Sequence, residues 1–85
     1  MGRAASGAAS ALLPLLEDED STVRFKTAWA LGQIDEPLAV GDLIEALNDK
    51  SSQVKSAAHK SLKKLTGEDF GRSYDKWKEW HDRNQ

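Results

Sequence analysis

Apolar residues recur along this chain with the spacing of an α-helix. Val23, Thr27, Ala30, Leu31 and Ile34 are separated so that all five share one helical stripe. Val54, Ala58, Ser61, Leu62 and Leu65 repeat the same offsets. Each stripe follows a polar start, Asp20-Ser21 or Ser51-Ser52, whose side-chain oxygens can accept bonds from the unpaired amides of a first helical turn. A shorter helix is predicted before each: one over 8–17, with Leu12, Leu13, Leu15 and Leu16, and one over 37–48, with Val40, Leu43, Ile44 and Leu47. Pro37 suits the first turn of the second short helix, where its missing N–H costs nothing. Pro14 falls inside the first and should kink it or fray its start. Nothing alternates with a period of two, so no strand is predicted.

The pattern copies itself at an offset of 31 residues without a gap. Leu12, Leu13 and Leu16 fall on Leu43, Ile44 and Leu47, and Asp18 on Asp49. Val23 falls on Val54, Arg24 on Lys55, Leu31 on Leu62, Ile34 on Leu65 and Ala8 on Ala39. Two helices repeated at such a period mean a helical-hairpin solenoid. The expected fold is therefore all-α: two hairpins, 8–36 and 37–66, after a disordered or truncated segment 1–7. A loop and a C-terminal capping helix follow over 67–85. Leu65-Thr66-Gly67 reads as a helix end with a glycine stop. Tyr74 to Arg83 reads as a short helix with Tyr74, Trp77 and Trp80 on one face. An end repeat needs a cover whose outer side is polar, and Asp75, Lys76, Lys78, Glu79, Asp82 and Arg83 supply that side. About three repeats normally make a stable solenoid. Two suggest either a piece of a longer array or a homodimer closed through the open N-terminal face.

Composition narrows the function. The 85 residues contain no cysteine, which excludes disulfides, thiolate metal sites and cysteine nucleophiles. There is no apolar run long enough for a membrane span, so a cytoplasmic protein is expected. The net charge of −2 argues against a nucleic-acid binder driven by bulk positive charge. That charge is unevenly placed. Residues 17–49 hold nine acids and two bases, whereas residues 50–85 hold nine bases and five acids. Lys50, Lys55, Lys60, Lys63 and Lys64 lie in a stretch without an acid. His59 and His81 are isolated, the run Glu17-Asp18-Glu19-Asp20 lacks the glycine-spaced pattern of a calcium loop, and no phosphate loop or nucleophile–base pair has a familiar spacing. No catalytic residue, metal ligand or cofactor site is therefore assigned.

Val23-Arg24-Phe25-Lys26-Thr27-Ala28-Trp29-Ala30-Leu31-Gly32-Gln33-Ile34, followed by Pro37-Leu38-Ala39-Val40 and Leu43-Ile44-Glu45-Ala46-Leu47, resembles the HEAT-like repeat of the phycobilisome-lyase type. The resemblance covers roughly residues 8–66. Lys55, Lys63, His59 and Ser61 depart from it where Arg, Gly, Ala and Ala are usual. It implies a non-enzymatic scaffold that binds a protein partner along the surface of its second helices. Some members attach bilin chromophores, so an accessory part of a bilin lyase is one alternative. Weak nucleic-acid binding through the basic second repeat is another. One related group uses His-Glu pairs as iron ligands, and no such pair occurs here.

On the second helices, Phe25, Lys26, Trp29 and Gln33 point away from the apolar stripe, at about 100° per residue. Phe25 and Trp29 are four apart and meet on one face. Their counterparts in the second repeat are Ser56, Ala57, Lys60 and Lys64. The candidate partner-binding residues are Phe25, Lys26, Trp29, Gln33, Ser56, Lys60 and Lys64. The competing expectation is that the two rings are covered by the N-terminal segment or by a second copy.

Overall fold

The computed structural model describes residues 11–34 and 37–84, so the expectation for segment 1–7 and the start of the helix expected over 8–17 lie outside them. Within these bounds the chain is a run of helices and turns. A 3-10 helix, Leu13–Glu17, leads to α1, Ser21–Gln33. A second 3-10 turn, Pro37–Ala39, leads to α2, Val40–Ala46, then α3, Ser52–Thr66, and α4, Tyr74–Arg83.

Local chemistry sets these boundaries. The Asp20 carboxylate accepts a bond from the Thr22 amide at 2.9 Å and starts α1. Ser51 accepts from the Val54 amide at 3.4 Å and starts α3, and Ser73 accepts from the Lys76 amide at 3.3 Å and starts α4. Helix α3 stops at Gly67, whose φ of 78° is left-handed and whose amide donates to the Lys63 carbonyl. Pro14 acts more strongly than a kink. It sits in the first turn of a five-residue 3-10 helix that replaces the α-helical turn expected there.

The helices form two layers. Helices α1 and α3 lie side by side, and α2 and the 3-10 helix Leu13–Glu17 pack beneath them. The molecule measures 31 × 31 × 16 Å, and the short dimension suits two helix layers about 9 Å apart. Leu31, Leu43, Ile44, Val54 and Leu62 fill the space between the layers. The buried face of α1 is wider than its apolar stripe. Arg24, Thr27, Ala28, Leu31 and Gly32 are buried, while Val23, Ala30 and Ile34 are only half-buried. The helix is flanked by α3 on one side and the 3-10 helix on another, so small and even charged residues are drawn inside.

The tail closes the first-helix layer, where α4 packs on α2. Trp77 is fully buried, and its indole N–H donates to the Gly71 carbonyl at 2.8 Å. Phe70 and Trp80 both meet it edge-on, with ring centroids 4.9 and 5.9 Å from that of Trp77. Tyr74 donates to Glu45 at 3.1 Å, which ties α4 to α2. That bond to the carboxylate, with loss of hydration, raises the Tyr74 hydroxyl above its ordinary pKa. Among the described residues no helix is long and apolar enough to cross a membrane.

Candidate protein-interaction surface

Alignment of α1 with α3 begins at their preceding loops. Asp18 accepts from the Asp20 amide at 2.8 Å, and Asp49, one repeat later, accepts from the Ser51 amide at 2.8 Å. Each loop is thus folded by the same carboxylate turn. Arg24 joins the two loops. Its Nε and Nη2 donate to the Asp49 carboxylate at 2.7 and 3.1 Å. Its Nη1 donates to the carbonyls of Asp18 and Glu19 at 2.7 and 3.1 Å. This two-point pairing favours the charged guanidinium and raises Arg24 further above its ordinary pKa. Burial alone would raise the Asp49 carboxyl, but the bonds from Arg24 and the Ser51 amide outweigh it and hold the carboxyl below its usual range. The clasp lines a cavity of about 580 Å³ with Leu16, Glu17, Asn48 and Lys50.

A second fixed point lies deeper. Ser61 donates to the Ala28 carbonyl at 2.5 Å, and Gly32 faces Ser61 so closely that a Cβ there would sit 2.5 Å from the hydroxyl. Loop clasp and close contact together hold α1 and α3 in one register, which determines what their outer faces present.

Those outer faces carry the candidate residues. Phe25 is 36% exposed and Trp29 is 53% exposed, and Lys26, Gln33, Lys60 and Lys64 are also exposed. Among the described residues nothing covers the Trp29 ring as a core residue would be covered. Ser56 is half-buried, with a long 3.5 Å bond from Arg72. Ala57 is buried between the helices and does not belong to the surface. The structure brings Trp29, Gln33, Lys60 and Lys64 together around a groove of about 380 Å³, with Ser61 and Lys63 completing its lining. Lys64 donates to Gln33 at 3.3 Å across it. Phe25, Lys26 and Ser56 lie outside the lining of this groove.

Sequence reasoning missed Lys63 and Ser61 as groove residues and Arg24 as the clasp. The offset of 31 carried a signal for the clasp, since it pairs Asp18 with Asp49 and sets a basic residue beside each loop. Nothing comparable marked Lys63, which lines the groove from α3 and also meets Asp69 of the tail. The Asp69 carboxylate lies 2.7 Å from His59 Nε2 and 3.6 Å from Lys63 Nζ, and it accepts from the Gly71 amide at 2.9 Å. The hydrogen bond with His59, followed by that from Gly71, lowers the Asp69 carboxyl to about 2.

Among the described residues no three His, Asp or Glu side chains converge as metal ligands. No curated protein and no solved structure gives a significant match to the chain. A family model described as HEAT repeats matches residues 2–69. HEAT repeats generally mediate protein–protein interaction. With the paired helices, the doubled carboxylate turn and that match in agreement, the chain belongs to the HEAT-repeat family.

Proposed function

We propose that this protein is a non-enzymatic interaction module that binds a protein partner on the outer faces of α1 and α3. Phe25 and Trp29 are the anchors, and Lys26, Gln33, Ser56, Lys60 and Lys64 surround them. The observation that carries this reading is the half-exposed tryptophan on a helix whose opposite side is fully packed. A tryptophan on an open face leaves a large apolar area in water, and aromatic residues of this kind dominate the energetics of protein interfaces. The rigid register of α1 and α3 adds to this, because a surface held in place loses little freedom on binding.

The test is a double variant, F25A/W29A. Proteins retained from host extract by the immobilised wild type should be lost by the variant, at an unchanged melting temperature. Equal retention would sink the reading. A fall of several degrees in melting temperature would do so too, because it would show that the rings contribute to packing.

A further inference from the structure

We propose that the groove beside Trp29 takes an acidic peptide segment carrying one apolar anchor. This rests on the reading of α1 and α3 as the binding face and specifies the partner's chemistry. Three lysines, Lys60, Lys63 and Lys64, line the groove with Trp29, Gln33 and Ser61, and no carboxylate is among the lining residues. Lys63 and Lys64 have a structural role as well, since they stand in the last turn of α3 and complement its carbonyl end. Lys60 lies one turn earlier and has no such role. Among the described residues it makes no hydrogen bond or ion pair. The Ser61 hydroxyl is committed to Ala28, so the floor offers little to a neutral polar ligand.

Of the three groove lysines only Lys63 pairs with one of the protein's own acids, at 3.6 Å from the Asp69 carboxylate, and among the described residues Lys60 and Lys64 make no ion pair. Glu17-Asp18-Glu19-Asp20 precedes α1, and the nine steps from Asp20 to Trp29 rise about 14 Å before the groove is reached. That exceeds the screening length of about 8–10 Å at physiological salt. The positive field over the groove therefore remains available to a partner. At about 380 Å³ the groove is near the lower end of ligand-site volumes, about 300–1,000 Å³, which suits an anchor side chain beside Trp29. A long polyanion fits less well. The groove holds no arginine fork for phosphate, and a strand continuing along α1 meets the acidic loop.

The experiment selects short random peptides displayed on phage against the wild-type protein, with W29A and K60Q/K64Q screened beside it. Circular dichroism melts confirm that each variant folds. Enriched sequences should place Asp and Glu beside an aliphatic or aromatic residue. Their synthetic versions should bind each variant about tenfold more weakly and should weaken as salt rises. Neutral or basic sequences that still depend on Trp29 would overturn the acidic class and leave the binding face intact. Sequences indifferent to all three substitutions would overturn both. A uridine oligonucleotide that binds more tightly than any selected peptide would assign the groove to nucleic acid. A dimer seen by sedimentation and lost in K60Q/K64Q would assign it to a second copy. Either of these results overturns the proposal.

Discussion

Gly32 shows how one missing side chain sets the distance between two helices. A Cβ at this position would lie 2.5 Å from Ser61 Oγ, 2.7 Å from its Cβ and 2.9 Å from its Cα. The first of these contacts could be relieved by rotating the hydroxyl, but the other two could not. Alanine is better than glycine in a helix by about 1 kcal/mol, which taken alone would make G32A stabilising. Overpacking a tight helix contact costs about 1–3 kcal/mol, and here it would also pull the Ser61 hydroxyl from the Ala28 carbonyl. The clash outweighs the propensity gain, so G32A should lower stability by about 1–2 kcal/mol in urea unfolding. A variant as stable as the wild type would mean that α1 and α3 separate without loss. This glycine reads from the sequence only as part of a family-like stretch. Its purpose depends on Ser61, a residue 29 positions away that the same reading counted as a departure.

Among the elements, the loops matter as much as the helices. The Arg24 fork spans two repeats, and its two ends test different physics. R24K keeps the charge but loses the planar fork, so it cannot serve the Asp49 carboxylate and the Asp18 and Glu19 carbonyls together. D49N keeps an acceptor for the Ser51 amide but loses the charge. Both should lower the melting temperature, R24K by several degrees. The lowered pKa of Asp49 means that its ionised form is favoured in the folded state. Its contribution is therefore full above the ordinary value of 3.8 and fades as pH falls below it. D49N should lose this part of the acid dependence, and the gap between D49N and wild type should narrow as pH is lowered past 3.8. A gap that stays constant would show that the charge of Asp49 contributes nothing. The same geometry explains a residue that departed from the family pattern. Lys55 takes the place of Arg24 in the second repeat, and the position 31 residues beyond Asp49 is Trp80 rather than an aspartate. Without a third loop carboxylate there is no partner for a fork.

At the scale of the whole molecule, the elements recorded by local signals were legible and those decided by neighbours were not. The caps at Asp20 and Ser51, the stop at Gly67 and the helix Tyr74–Arg83 all follow from residues within a few positions of the boundary. The shift of the buried face on α1 depends on which helices flank it, and the groove depends on the register in which α1 meets α3. Where α4 would rest was equally out of reach, because an amphipathic stripe states only that something covers it. Its seat on α2 makes Trp77 the largest fully buried side chain in the protein.

The seat of α4 gives the last prediction. Domains are stable by about 0.05–0.15 kcal/mol per residue, which for 85 residues is about 4–13 kcal/mol. Removing a buried Trp or Phe side chain to alanine costs about 3–5 kcal/mol. W77A should therefore lose most of the stability, together with the near-ultraviolet dichroism of the Phe70–Trp77–Trp80 cluster. W77F fills most of the site and loses the bond to the Gly71 carbonyl, so it should unfold cooperatively at a lower urea midpoint. Trp80 is only half-buried, and W80A should be the mildest of the three. If α4 were an appendage rather than part of the core, W77A would unfold at the wild-type midpoint, with Trp29 and Trp80 still giving unchanged signals. A two-hairpin array has one end of its first-helix layer on α2, and the ranking W77A, W77F, W80A measures how much of its stability that end holds.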